Sequence, residues 1–201
     1  VKHFIKSDLH VSANIGTGFN APTLGQLYGQ WGANPNLKPE DTFTSDITIS
    51  NDTLWLTGFY NTVDNLIEYT TSFIQTSGTS KFKGIELGYE DYFFENLGLK
   101  TTYTYLQAEN ATGQTLQRRP EHQLDVNTVY YFSSDYDLGL HVQYIGQRYD
   151  NVNKTGAQTG KYAVADLVAN AKINKSFTGY VKINNITDKY YQSVDGYDFS
   201  R

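Results

Sequence analysis

The 201-residue sequence predicts an all-β fold, an antiparallel segment of a transmembrane β-barrel contributing about nine strands. Three observations predict it. Apolar and polar residues alternate with period two through long stretches. In residues 97–105, Leu97, Leu99, Tyr103 and Tyr105 share one face while Lys100, Thr102 and Thr104 share the other, a strand pattern and not a helical one. Tight turns fall near residues 51, 95, 134 and 175, at spacings of 44, 39 and 41. Each interval holds a long strand, a long polar loop and another long strand. Short turns therefore gather at one end of the sheet and long loops at the other, as in outer-membrane barrels; a soluble sandwich turns every ~8–12 residues. Finally, the chain offers no second layer to cover the apolar face, whereas lipid can.

Taken in order, residues 7–18 form the first expected strand, with Leu9, Val11, Ala13 and Ile15 opposite Asp8, His10, Ser12 and Asn14. Residues 19–40 hold three prolines and several glycines and read as an irregular loop. Strands follow at 41–50 and 53–67, joined by the turn Asn51-Asp52, and residues 69–80 read as loop. In residues 81–92, Ile85, Leu87 and Tyr89 alternate with Gly84, Glu86, Gly88 and Glu90. The strand 97–107 leads into the loop 108–120, and 122–132 and 136–148 pair about a turn at 133–135. The last hairpin is 161–173 with 177–184. Its first strand is the weakest, because Val164 and Val168 share the face of Asp166 and Asn170. The tail 185–201 is polar and tyrosine-rich. Aromatics near strand ends, among them Tyr92, Phe93, Phe94, Tyr130, Phe132 and Tyr136, suit an interfacial girdle.

Composition narrows the function. A net charge of −5 without any basic run argues against a nucleic-acid partner. With no cysteine there is no disulfide framework, thiolate metal site or cysteine nucleophile. No apolar run approaches the ~18 residues of a transmembrane helix, which leaves membrane strands open, since alternation hides a lipid face from averaged hydropathy. His10, His122 and His141 sit on strands with no nucleophile elbow to serve, so the chain reads as a non-enzyme.

In such a barrel the apolar face meets lipid and the polar face lines the lumen. Asp46, Glu86, Glu90, Lys100, Asp125, His141, Gln143 and Lys182 are then inward. An odd strand count and two open edges do not suit a complete barrel, so the chain is expected to be part of a larger one.

The pieces GTGFNAPTLGQLY (16–28), NPNLKPED (34–41), FYNTVDNLIEY (59–69), KFKGIELGYE (81–90), LQRRPEHQL (116–124), YIGQRYDN (144–151) and INNITDKYYQSVDGYDFSR (183–201), in this order, resemble the C-terminal part of TonB-dependent outer-membrane receptors. The likeness is to their cobalamin- and catecholate-siderophore-receptor branch. The resemblance implies that residues 1–201 belong to a 22-stranded barrel whose N-terminal plug, TonB-contacting box and final strand lie outside this sequence. It implies an integral protein of a Gram-negative outer membrane that imports a scarce metal chelate (ferric siderophore, cobalamin or haem). Its partners would be lipid, the plug of the same parent chain, and TonB through that plug. It implies no resident cofactor. A passive porin and a barrel enzyme are the rival readings, separated by whether a plug sequence precedes the barrel and by clustered catalytic residues.

Candidate site residues fall into two sets. Tyr28, Trp31, Tyr69, Phe73, Tyr149, Tyr191 and Tyr197 lie at the long-loop end, where aromatics stack on a chelate or sit in the interface belt. Arg118 and Arg119 close a loop and join the inward set as forks for lumen or plug carboxylates. Asp150, Asn151 and Asn153 offer the oxygens calcium takes, though not in EF-hand spacing; a solvated loop is the other reading.

Overall fold

The structure is a computed structural model and describes residues 2–4 and 8–198. Residue 7, where the first strand is expected to begin, and residues 199–201 of the tail lie outside the described residues. In chain order the elements are β1 (Lys2–Phe4), β2 (His10–Asn20), the short helix α1 (Leu24–Tyr28), β3 (Glu40–Ser50), β4 (Leu54–Asp64), β5 (Ile67–Tyr69), β6 (Phe73–Gln75), β7 (Thr79–Phe93), β8 (Leu97–Glu109), β9 (His122–Tyr131), β10 (Tyr136–Ile145), β11 (Tyr149–Asn151), β12 (Thr155–Gln158), β13 (Tyr162–Lys172), β14 (Thr178–Ile183), β15 (Gln192–Val194) and β16 (Tyr197–Asp198).

All the long strands enter one antiparallel sheet of order β1-β2-β3-β4-β7-β8-β9-β10-β13-β14. The nine expected strands are present, with ends shifted by at most about three residues. Two expectations are corrected. The strand expected over 53–67 ends at Asp64, because Asn65 adopts a left-handed φ of 59° and turns Ile67 into a separate hairpin. The stretches expected as loop or tail hold α1 and the hairpins β5–β6, β11–β12 and β15–β16. The short turns at 51–53, 94–96, 132–135 and 173–177 all lie at one end of the sheet.

The register makes the two faces continuous. One cross-strand row runs Val11–Ile49–Leu56–Leu87–Tyr103–Leu124–Tyr144–Ala163. Another, on the opposite face, runs Glu90–Lys100–Asn127–His141–Asp166. The apolar face is bare: Ile47 is 54% exposed and Leu87 46%. Such a face in water is an aggregation surface, while a bilayer covers it; the strands between the two sheet edges have their ladder groups paired, as lipid demands. On β7 the apolar run is bracketed by Asp91 and Lys83. Eight residues at ~3.3 Å rise and ~40° tilt span about 20 Å along the membrane normal, near the ~25 Å apolar band of such barrels. Beyond that bracket the apolar face turns charged, with Lys81 opposite Glu109 and Lys83 opposite Gln107.

Val164 and Val168 do fall on the polar face. Val168 Cγ1 occupies the space above Gly139, where an added Cβ would lie 2.8 Å from it. The valine fills a gap in the wall, which accounts for the strand with the weakest alternation.

Among the described residues, the buried hydrophobics are Leu37, Leu66, Ala108, Leu116, Ile145 and Tyr162, all in loops or at the loop end of strands. Leu66, Ala108 and Leu116 cluster with Val63, Phe82 and Leu106. By register, Val63, Phe82, Leu106 and Ala108 belong to the polar face. At this end the wall becomes apolar, and two loops fold inward and bury it.

Candidate functional site

The polar wall gathers every strand residue expected to face inward. Asp46 accepts from Asn14 Nδ2 at 2.9 Å. Lys100 Nζ lies 2.7 Å from Glu90. Glu86 accepts from the indole of Trp55 at 3.1 Å, and that indole lies flat across Gly88, where any Cβ would stand 1.9 Å from the ring. Glycine is required there by the close approach. His141 Nε2 is 3.3 Å from Asp125 and its Nδ1 4.0 Å from Asp166. Gln143 also donates to Asp125 at 3.1 Å, and Asp166 accepts the Asn185 amide. Lys182 stands on the same face, opposite Val168. The Lys100–Glu90 pair is about half exposed, so it contributes at most about 1 kcal/mol; the His141 pairs are more sheltered.

Above the wall the loops are laced into a collar. The first loop begins with the capping box of α1, in which Thr23 and Gln26 satisfy each other's amides. Gly32, at φ +61°, passes so close to the second loop that a Cβ would lie 2.6 Å from Ser72 Cα. The Phe73 amide donates to Gly32 O, and Asn34 Nδ2 to Phe73 O. Gln75 accepts from Lys38 N and donates to Lys38 O and Asn65 O. Glu40 accepts the Ile67 amide and Asn20 Nδ2.

Arg118 joins this second loop to the next two. Its Nε and Nη2 grip both oxygens of Asp150, at 2.7 and 3.3 Å. Its Nη1 reaches Tyr69 O, and its backbone amide donates to Tyr149 O. Gln117, almost wholly buried, donates to the same Tyr69 carbonyl. Arg118 holds a left-handed φ of 57°, a conformation that surrounding bonds must maintain in a residue with a Cβ. Lys154 pairs with Glu121 at 2.6 Å, and Asn153 N donates to Thr115 O. Arg148 ties in the tail through Gln192 O.

Glu68 is buried beneath this lacing. Burial pushes its carboxyl above the ordinary value, and the guanidinium groups of Arg119 and Arg118 pull the other way.

Arg118 therefore stands apart from the wall carboxylates with which the sequence groups it: its partner is a loop aspartate of its own chain. Arg119 belongs to the same loop and reaches Gln117 O. The same bond changes the standing of Asp150, Asn151 and Asn153 as an oxygen set, since both Asp150 oxygens are taken by Arg118. Among the described residues, no three His, Asp or Glu side chains cluster as a metal would require.

The seven aromatics divide. Tyr69 and Phe73 meet edge to face at 4.9 Å on the β5–β6 hairpin. Tyr191 stacks on Tyr162 at 4.6 Å, beneath the Arg148 guanidinium. Tyr149 accepts from Gln147 Nε2 at 2.6 Å. Tyr28, Trp31 and Tyr197 are 72%, 80% and 72% exposed. Glu68, Gln75 and Gln117 escape sequence reasoning. Their partners lie 10 to 51 residues away, and no spacing announces such pairs.

Comparison with known proteins gives a consistent result. The sequence profile of the family described as "TonB dependent receptor-like, beta-barrel" matches residues 4–186. The vitamin B12 transporter BtuB of Vibrio cholerae serotype O1 is 29% identical over 199 residues, covering 93% of this chain and 32% of the relative. Among solved structures, the copper transporter OprC superposes with a TM-score of 0.76 at 18% identity, over 95% of this chain and 33% of that one. A point mutant of the ferric enterobactin receptor PfeA from Pseudomonas aeruginosa gives 0.74 at 21% identity, over 94% and 34%. The chain thus spans about a third of the length of the relatives it matches.

Proposed function

Because this chain belongs to the TonB-dependent receptor-like β-barrel family of the outer membrane, we propose that it forms wall and collar of a receptor importing a scarce nutrient chelate. The ligand class is a ferric siderophore, cobalamin or haem. The observation that carries the reading is the collar itself. Successive loops are cross-tied through Gln75, Arg118 and Arg148 over a hydrated wall. A passive pore needs no such preorganised rim, whereas high-affinity capture does, because ordering loops on binding costs affinity.

In this reading the exposed rings of Tyr28, Trp31 and Tyr197 and the Tyr69–Phe73 pair supply stacking surface for a large planar or aromatic ligand. The wall pattern Glu90–Lys100–Asn127–His141–Asp166 contacts a plug domain of the parent protein, and TonB acts on that plug. The relatives support the class and differ in cargo, one being named for vitamin B12, one for copper and one for ferric enterobactin.

The test is uptake by a receptor-deficient Gram-negative strain expressing the full-length receptor. Radiolabelled cobalamin, a ferric catecholate and haem are offered with and without TonB. Saturable accumulation of one of them that vanishes without TonB is expected. Non-saturable entry that ignores TonB would establish a passive pore instead.

A further inference from the structure

We infer that the collar holds one monatomic anion of the halide class, chloride in practice, in a small cavity bordered by Arg119 and Arg148. Lys154, Glu121, Gln147 and Thr115 are among its other walls. These residues come from the loop ahead of β9, from the segment between β10 and β11, and from the β11–β12 turn. The cavity has a volume of about 10 Å³, which is room for one water or one ion of similar size. A phosphate, sulfate or carboxylate group is too large for it.

Two observations decide the occupant. The first is charge. Lys154 Nζ and the Glu121 carboxylate lie 2.6 Å apart and offset each other, which leaves the two guanidinium groups. Among the described residues neither Arg119 nor Arg148 forms an ion pair. Asp150 is taken by Arg118. Glu68 feels Arg119 but is not a wall of the cavity, and burial holds its carboxyl toward the neutral form. Sheltered cations without a counter-charge are costly.

The second is an orphaned donor. Arg148 Nη2 donates to Gln192 O at 3.2 Å and to Tyr162 Oη at 3.4 Å. Its Nε is buried and has no hydrogen-bond partner. A buried N–H is rarely left unpaired in a native fold, and this one belongs to a residue that lines a cavity with room for a single acceptor. A water there accepts the hydrogen bond and leaves two positive charges standing; a halide answers both. The bound anion ties the β8–β9 loop to the β10–β11 segment, alongside the Arg118–Asp150 bond, and through Arg148 to the tail. The order of the rim thus depends on the anion in the medium.

The experiment uses the full-length receptor. Crystals grown with bromide in place of chloride, measured at the bromine absorption edge, should show one anomalous peak in this cavity. Amide exchange in solution is the second readout, in sodium chloride and in sodium gluconate of equal ionic strength. With chloride at about ten times its dissociation constant, the loop residues around the cavity should exchange about tenfold more slowly. Sulfate, excluded by size, should give the gluconate rates. Arg119→Gln should abolish the difference between the salts. Thr115→Asp, which tethers a carboxylate to the cavity wall, should give the slow rates in both salts. Heat-resistant migration of the barrel on a gel checks that each variant is folded. Absence of the bromide peak would overturn the inference, as would a peak with no chloride effect on exchange, an adventitious ion only. Equal protection by sulfate, or undiminished chloride dependence in either folded variant, would do the same.

Discussion

Replacing Arg118 by alanine in the full-length receptor removes the two-pronged grip on Asp150 and the bond to Tyr69 O, and frees a backbone held at positive φ. The side chains of Arg118 and Asp150 are 23% and 16% exposed, so the pair is neither a surface bridge worth under ~1 kcal/mol nor a fully buried one whose breaking costs ~3–5 kcal/mol. An intermediate loss of about 2 kcal/mol is expected, most of it from leaving Asp150 half-buried and unpaired. Because the barrel does not depend on this bond, the loss should appear as local opening. Amide exchange of Arg118 and of its loop neighbours in β11 should accelerate about 30-fold, with the strands of the wall unchanged. Lysine at position 118 keeps the charge but not the fork, and should recover less than half of the protection. A double-mutant cycle with D150A should return a coupling of roughly 1–3 kcal/mol. Equal protection in R118A and the unaltered receptor would refute the view that this residue locks the collar. So would a coupling near zero.

Other expectations follow from the same reasoning. Gly88→Ala should expel the Trp55 indole from the wall and cost about 1–3 kcal/mol, read as a shifted urea midpoint for refolding into vesicles. Leu87→Arg, on the apolar row between Asp91 and Lys83, should cost about 2–4 kcal/mol in the same assay, whereas arginine at Lys83 should cost almost nothing. Glu68 has a folded-state pKa raised above its ordinary 4.5. Its contribution to the β5–β6 hairpin is therefore fully present below 4.5 and is lost as pH rises through the raised value. Hairpin amide protection, corrected for intrinsic exchange, should fall from acid to neutral pH. In Glu68→Gln that fall should disappear.

The strands were legible because water on one side and lipid on the other impose a two-residue period that no local propensity overrides. Leu87 and Glu86 cannot exchange faces without placing a carboxylate in hydrocarbon. The one strand that read poorly, β13, did so because Val168 packs over Gly139 on the polar side, a packing device without periodic trace. The collar was far less legible. Arg118 was visible as a fork needing a carboxylate, and Asp150 as a carboxylate needing a cation, but the 32 residues between them carry no signal that they are partners. The helix α1 had a readable mark, the Thr23-to-Gln26 capping box, overshadowed by the surrounding Pro and Gly. Gln75 serves three backbone groups from a hairpin that looked like polar loop; a glutamine among threonines and serines gives no hint of such use.

The charged upper margin of the apolar face has a mechanical meaning. From Lys83 to Thr79, β7 continues about four residues, or ~13 Å, past the last apolar position, and β8 accompanies it to Glu109. The sheet thus stands clear of the hydrocarbon like the rim of a well above the ground. Bilayers differ in thickness, and a barrel adjusts to them by tilting or by drawing lipid along its apolar band. Those adjustments act below Lys83. The points where the loops are rooted keep their mutual spacing, because they are fixed by strand hydrogen bonds in the aqueous layer. The geometry of the collar is thereby insulated from the membrane that carries it.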